Sequence, residues 1–192
     1  MDVRRQDNGD GVEAVLYTPR THRTFAHTTA VLDELGMNIV DARITPLDND
    51  YSLDTFVFME LDKRMEIDDA RMSKIRRTLT RVLTLSDEDI ANVTRRAPRQ
   101  VRMFSTKTGV SFSPDMTRGK TVMELVAADR PGLLSKIGRA FISAGVDIET
   151  AKIVTIGERA EDVFYISKEN GEPLSEGDKE QLRATIIERL GN

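Results

Sequence analysis

The sequence predicts an α+β protein built from two copies of one small module, each with its elements in the order β-α-β-β-α. The first observation is a repeat: "GMNIVDARI" (36–44) and "GVDIETAKI" (145–153) share four residues in register. The second is that the apolar period changes from strand-like to helix-like in the same order in both copies. The third is the offset of 109 residues, which exceeds the roughly 20–50 residues of stacked solenoid units and indicates two separate domains.

Each copy opens with a strand and a helix. Residues 12–17 and 122–126 are short apolar runs rich in β-branched residues, as in a buried strand. Apolar side chains then recur at helical spacing up to Gly36 in the first copy and Gly145 in the second, where a left-handed C-terminal residue is favoured. The helical positions are Phe25, Thr29, Leu32 and Leu35, and Leu133, Leu134, Ile137, Phe141 and Ala144.

Two more strands and a second helix follow in each copy. Residues 38–46 with 52–61, and 146–156 with 160–167, are extended runs joined by "LDND" and "GERA", which predict hairpin turns. The closing helices carry apolar stripes at Ile75, Leu79 and Val82, and at Leu182, Ile186 and Leu190. Ser175 and Asp178 predict a capping box at the start of the last helix.

One further strand in each copy would complete the ferredoxin-like βαββαβ sandwich. The segments 101–105 ("VRMFS") and 109–113 ("GVSFS") are extended and placed to supply one edge strand each. We therefore expect an N-terminal tail at 1–11, a first domain at 12–105, a linker with an edge strand at 106–118 and a second domain at 119–192. Because exposed edge strands invite aggregation, we expect the two domains to pack side by side as a pseudo-dimer.

Composition argues against several classes of function. The formal net charge of -4 gives no overall attraction to nucleic acid or to anionic lipid, and the local basic cluster in "RRAPRQ" is interpreted as a solvated connector. The chain contains no cysteine, so thiolate metal sites and disulfides are excluded. The segment "MDVRRQDNGDG" has no apolar stretch that could act as a secretion signal, and no run in the sequence approaches the roughly 18 apolar residues of a membrane span. We expect a cytoplasmic protein that binds neither nucleic acid nor membrane.

No constellation of catalytic residues can be assembled. The two histidines, His22 and His27, are five residues apart and would point in different directions on a helix. No metalloprotease, nucleophile-elbow or phosphate-loop motif occurs, and the acidic residues fall on predicted helix faces and turns. We expect no catalytic residue and no metal site in this chain.

The segment "DRPGLL" (129–134) begins the helix of the second copy and predicts a ligand site. Asp129 is expected to cap the helix, with Pro131 in its first turn. Gly132 is not needed for capping, and it would let a carboxylate or phosphate approach the first-turn N–H groups. Asp147 at the start of the next strand is expected to accept from an ammonium group. A pocket for an amino acid and a merely structural turn both remain open on these residues.

The motif "DRPGLLSKIGRAF", followed by "GVDIETAKI" and a hairpin, resembles the ACT domain, a small ferredoxin-like module that binds amino acids at an interface between two copies. The resemblance implies two ACT domains in tandem. "TIGERAEDVFYI", "IVDARI", "LDTFVFM" and the linker "GVSFSPD" resemble more closely the C-terminal tandem ACT region of the bifunctional protein-PII uridylyltransferase/uridylyl-removing enzymes.

That resemblance implies a regulatory part that senses L-glutamine and switches uridylylation and its reversal on the PII protein. It also implies separate nucleotidyltransferase and phosphohydrolase domains, with Mg as their cofactor, and a possible homodimer through the ACT domains. The ligand-binding residues that it implies are Asp129, Arg130, Pro131, Gly132, Leu133, Leu134, Asp147, Ile148, Asn38 and Ile39.

The first copy departs from the motif, because Thr21, His22 and Arg23 stand where the second has Arg130, Pro131 and Gly132. A bulky cation in place of the glycine puts a ligand site there in doubt, although the strands of this copy remain able to form the other wall of a shared site. Two alternatives stay open: a stand-alone tandem ACT regulator resembling the glycine cleavage transcriptional repressor, and a ligand-free dimerisation module.

Overall fold

The computed structural model describes residues 1–6, 11–21, 23–62, 66–82, 106–156 and 159–191. Within them the chain forms nine strands and four helices. In chain order these are β1 (Asp2–Arg5), β2 (Val12–Pro19), α1 (Arg23–Glu34), β3 (Met37–Pro46), β4 (Tyr51–Glu60), α2 (Asp69–Val82), β5 (Gly109–Asp115), β6 (Lys120–Ala128), α3 (Leu133–Ala144), β7 (Val146–Lys152), β8 (Thr155–Ile156), β9 (Arg159–Lys168) and α4 (Glu176–Leu190).

Eight of these strands form one antiparallel sheet in the order β1-β2-β4-β3-β7-β9-β6-β5, and β8 pairs with β9 at its side. The first four strands belong to the first module and the last four to the second, in mirrored order. The modules meet in the sheet through one pair of residues, Ala42 and Ala151. Helix α1 contacts α2 and α3, and α3 contacts α4. The predicted pair of ferredoxin-like domains packed as a pseudo-dimer is confirmed.

The edge strands differ from the expected βαββαβ order. β5 pairs with β6 and edges the second module, as expected of the linker. Among the described strands the edge of the first module is β1. It lies in the segment that was expected to be a tail, and it pairs with β2 from Asp2 to Arg5. Val3 buries its side chain in the core, and the Arg76 guanidinium donates to its carbonyl oxygen at 2.6 Å. Within the described residues each module therefore has its elements in the order β-β-α-β-β-α, and residues 2–5, which were expected to belong to a tail, form a strand.

The other expected edge strand, 101–105, lies outside the described residues, so the limits of the two domains stay a prediction. The predicted helix ends are confirmed by the left-handed glycines Gly36 (φ 79°) and Gly145 (φ 61°). The capping box is confirmed as well: the N–H of Asp178 donates to Ser175 Oγ, and the N–H of Ser175 donates to Asp178 Oδ2.

A continuous apolar core runs beneath the helices of both modules. Phe25 of the first module meets Phe164 of the second edge to face, with ring centroids 6.2 Å apart, and Phe164 meets Phe141 in the same way at 5.3 Å. Helices α1 and α3 cross beside this cluster at Ala26 and Gly138, so closely that a Cβ at position 138 would lie 2.7 Å from Ala26. The relative position of the modules is therefore determined by core packing as well as by the sheet.

Candidate functional site

The turn between β6 and α3 shapes the candidate site. Gly132 occupies the N-cap of α3 with φ 81°, and the helix begins at Leu133. The expectations that Asp129 is the cap and that Pro131 lies in the first turn were wrong, because the chain turns through a left-handed residue before the helix starts. That conformation itself requires a residue such as glycine. The view that capping geometry does not need Gly132 was therefore also wrong.

The N-cap residue has no side chain that could accept from the first-turn N–H groups of α3. The Leu133 N–H donates to the carbonyl of Arg130 at 3.0 Å, and the Lys136 N–H donates to the carbonyl of Gly132 at 2.9 Å. The remaining first-turn N–H groups belong to Leu134 and Ser135. A helix end of this kind attracts a carboxylate or a phosphate through its N–H donors and its dipole.

An inter-module cleft of about 280 Å³ opens beside this helix end. Helix α1 and strand β3 of the first module form one wall, and the turn before α3, α3 itself and strand β9 form the other. It brings together eight of the ten predicted site residues. The lining residues are Thr29, Asp33, Met37, Asn38, Ile39, Leu61, Asp129, Arg130, Pro131, Gly132, Leu133, Leu134, Ser135, Ile153, Ala160 and Asp162.

The other two predicted residues, Asp147 and Ile148, lie elsewhere. They line a closed cleft of only about 20 Å³ at the pseudo-symmetric position, together with Arg20, Phe25 and the end of strand β3. The Arg20 guanidinium contacts the Asp147 carboxylate at 3.3 Å. Strands β3 and β7 run side by side and antiparallel, so the start of β7 faces the turn of the first module and the start of β3 faces "DRPGLL". The grouping of Asp147 with "DRPGLL" was therefore wrong.

Two buried aspartates, which the sequence reasoning missed, occupy equivalent positions in the repeat. Asp54 on β4 and Asp162 on β9 are each 1% exposed. Burial raises the pKa of Asp54 to about 6, opposed by a hydrogen bond from Ser52. Burial also raises the pKa of Asp162 to about 7; the Val154 N–H opposes this shift and the charge of Asp129 adds to it. Their burial could have been predicted from "LDTF" and "EDVF". In each segment the aspartate lies two residues before a phenylalanine, so both side chains lie on the same, inward face of the strand.

The lining of the inter-module cleft carries more acidic than basic side chains. Asp33 comes from α1, Asp129 from the turn before α3 and Asp162 from β9, whereas Arg130 is the cationic residue on this lining. The α3 N-terminus supplies positive potential at the side of Gly132. The cleft lining therefore offers both a positive helix end and several carboxyl groups.

An outer cleft of about 330 Å³ lies on the other side of the same turn. It is lined by Lys107, Arg130, Lys136 and the apolar side chains around Leu190, all from the second module. A ligand there would contact one module only, so its binding would not depend on how the two modules are arranged. We therefore take the smaller inter-module cleft as the regulatory candidate.

Among the described residues no group of three or more acidic or histidine side chains is arranged to hold a metal ion. In the same part of the chain, no helix combines the length and the apolar character that crossing a bilayer demands.

We expect the two buried aspartates to make stability fall as pH rises from 4 to 8. Their pKa values are higher in the folded chain than in the unfolded chain, so the unfolded state loses these protons first and is favoured as pH increases. At about 1.4 kcal/mol per pKa unit, the loss amounts to roughly 2–4 kcal/mol for each residue. Denaturant unfolding at pH 5 and pH 8 measures the part of this loss that falls between those values, about 1–3 kcal/mol for each residue, and Asp54→Asn with Asp162→Asn should flatten the profile.

The titration of Asp178 does not affect stability between pH 5 and pH 8. Its pKa is lowered to about 2, chiefly by the Ser175 side chain and by Lys168, so its stabilising effect is lost only as pH falls below about 4. If the double Asn variant loses as much stability between pH 5 and pH 8 as the parent does, other groups carry the effect.

Residues 121–186 match the ACT domain family. Over 94% of its length the chain is 40% identical to the bifunctional uridylyltransferase/uridylyl-removing enzyme of Ectopseudomonas mendocina, and over 99% of its length it is 39% identical to that of Vibrio campbellii. The chain spans 20% and 22% of these relatives. The crystal structure of aspartate kinase from Synechocystis matches 94% of this chain and 27% of its own, with a TM-score of 0.48 at 15% identity.

Proposed function

We propose, from the ACT domain at residues 121–186 in a chain homologous to a fifth of the uridylyltransferase/uridylyl-removing enzymes, that this protein is the amino-acid-sensing regulatory part of such an enzyme. Its ligand is L-glutamine, bound in the inter-module cleft. Binding shifts the balance between uridylylation of the PII protein and removal of the uridylyl group. Both reactions take place in the cytoplasm on catalytic domains outside this chain.

The observation that carries the proposal is that the cleft is built from both modules. Asn38 and Ile39 at the start of β3 face the turn at Gly132 across about 280 Å³, near the lower end of the roughly 300–1,000 Å³ typical of small-molecule sites. A ligand whose carboxylate sits at the α3 N-terminus would reach the first module with its other end. Binding would then favour one arrangement of the two modules.

The charges of the lining favour a neutral side chain on the ligand. Asp33 and Asp129 contribute carboxyl groups to a lining on which Arg130 is cationic. A side-chain carboxylate would meet like charge from these groups at short range. A side-chain amide can instead donate its N–H groups to carboxylate oxygens. The cleft therefore suits glutamine better than glutamate.

The contact between the modules suggests how binding is transmitted. In the sheet they share the single pair Ala42–Ala151, and above it α1 crosses α3 at Ala26 and Gly138. A ligand shifts an equilibrium only by its difference in affinity for the two states, which is typically about 1–3 kcal/mol in allosteric proteins. A small rotation at this contact would change the width of the cleft and the surface offered to the catalytic domains.

A thermal-shift screen of the twenty amino acids, followed by calorimetric titration, tests the proposal. We expect glutamine to raise the melting temperature more than glutamate and to bind with one molecule per chain, because the closed cleft has only about 20 Å³. A chain that binds no amino acid would favour the ligand-free dimerisation module. Binding of glycine in place of glutamine would favour the stand-alone regulator.

A further inference from the structure

Within the part of the chain that the structure describes, one of the two oxygens of the Asp162 carboxyl group has a hydrogen-bond partner. Its Oδ1 accepts a hydrogen bond from the Val154 N–H at 3.2 Å. Its Oδ2 is buried and has no hydrogen-bond partner among the described residues. A buried acceptor without a partner costs about 1–3 kcal/mol, and more when it is charged. An acid in this position is thus unusual unless something else supplies the missing donor.

Asp54 shows which part of this arrangement is common to both modules. It is buried to the same extent, its Oδ1 also lacks a partner in the described structure, and it lines the closed cleft. The difference between the two lies in the neighbouring space, about 280 Å³ beside Asp162 and about 20 Å³ beside Asp54. Of the two, Asp162 is the one that lines a space large enough for a small molecule that could donate.

We propose that Asp162 is a ligand-binding residue whose carboxylate accepts a hydrogen bond from the ligand's α-ammonium group. The inference rests on the proposed function, in which the cleft binds an amino acid. The α3 N-terminus receives the ligand's carboxylate and Asp162 receives its ammonium group. This role replaces the one that the sequence suggested for Asp147, which contacts Arg20 in the closed cleft.

The surroundings of Asp162 make this contact dependent on pH. The charged groups that line the same cleft are Asp129 and Arg130 on the turn before α3 and Asp33 on α1, and Val154 donates from the segment after β7. Burial raises the pKa of Asp162 to about 7, so at pH 6 most of the empty protein carries a proton there. An ammonium group requires the carboxylate form, so binding releases that proton. Affinity for glutamine should be about tenfold higher at pH 8 than at pH 6.

The test is calorimetric titration of glutamine into the wild-type chain, Asp162→Asn and the matched control Asp54→Asn, at pH 6 and pH 8. Titration in two buffers of different ionisation enthalpy counts the protons released and needs no variant. For the wild type we expect nearly one proton released at pH 6 and the tenfold gain at pH 8. Asp162→Asn should bind at least tenfold more weakly at pH 8 and lose both the proton release and the pH dependence. Asp54→Asn should retain the wild-type affinity at pH 8, the proton release and the pH dependence.

A second probe identifies the group that Asp162 contacts. Glutaramate is glutamine without its amino group, and it should bind wild type and Asp162→Asn equally. A melt of each variant checks folding, and the Asn side chain removes an ionisable group without changing the shape of the site.

The inference is overturned if Asp162→Asn binds glutamine within twofold of wild type at both pH values. Equal losses in Asp54→Asn and Asp162→Asn would overturn it too, because the repeated acid would then act on the fold and not on the ligand. In either case the proposed function stands as long as the wild type binds glutamine. If the wild type binds no amino acid, both the proposed function and this inference fail.

Discussion

Gly138→Ala destabilises the protein, although alanine is ordinarily the better helix former by about 1 kcal/mol. A Cβ at this position would lie 2.7 Å from both Cα and Cβ of Ala26 and 3.2 Å from its backbone nitrogen. Those atoms belong to the body of α1, so relief requires α1 to move away from α3. Forcing extra volume into a packed core typically costs about 1–3 kcal/mol, and we expect a net loss of that size in denaturant unfolding.

Gly177→Ala is the matched control for this substitution. Gly177 also lies in a helix, α4, but a Cβ there would have Ser175 Oγ at 3.9 Å as its nearest neighbour, which is an ordinary contact distance. The control should be neutral or slightly stabilising. We also expect Gly138→Ala to weaken glutamine binding, because α1 and α3 both line the inter-module cleft. If Gly138→Ala is as stable as its parent, the close crossing of the two helices does not hold the modules together.

We expect Gly132→Leu to abolish or strongly weaken the proposed amino-acid binding and also to lower stability. Gly132 has φ 81°, a left-handed conformation that costs a residue with a Cβ about 1–2 kcal/mol. The expectation that leucine would leave the fold intact as a better helix former was therefore wrong, because Gly132 lies at the N-cap and not within the helix. The new side chain would stand at the rim of the inter-module cleft, where we expect affinity for glutamine to fall at least tenfold.

Gly145→Leu is the control that separates the loss of stability from the loss of binding expected for Gly132→Leu. Gly145 is also left-handed, with φ 61°, but it ends α3 at a distance from the cleft, and Glu169 Oε1 at 3.9 Å is the nearest atom to a Cβ there. Both variants should lose similar stability in denaturant unfolding, whereas only Gly132→Leu should lose affinity in calorimetric titration. Binding of equal strength by the two variants would mean that "DRPGLL" is only the start of a helix and that the ligand site lies elsewhere.

Much of this site could be predicted because its parts are encoded locally. The segment 129–134 predicts a helix start because it contains a proline and a glycine. These residues influence the backbone conformation of only a few neighbouring residues. The repeat placed an equivalent strand start at Asn38 and Ile39, so both halves of the cleft were present among the predicted residues. The sequence also indicated which copy lacks the glycine, because Arg23 stands at the position of Gly132.

The pairing of those halves was not encoded locally. Whether "DRPGLL" faces Asp147 of its own module or Asn38 of the other depends on β3 and β7 lying side by side and antiparallel, joined at Ala42 and Ala151. No period or turn residue within either strand specifies a partner more than 100 residues away. The exclusion of Asp147 from the cleft follows from this pairing alone.

By itself the sequence determined the two modules, the order of most of their elements and the helix end that marks the candidate site, because hydrophobic period, turn residues and caps act over a few residues. Only the tertiary structure decided that β1 pairs with β2 in the first module and that α1 packs closely against Gly138. It also decided that Asp162 lies buried beside the larger, inter-module cleft, whereas Asp54 lies beside the closed one. These features arise where segments that are distant in the chain pack against each other and exclude water. Burial and close approach depend on both segments together, so the sequence of either segment alone does not predict them.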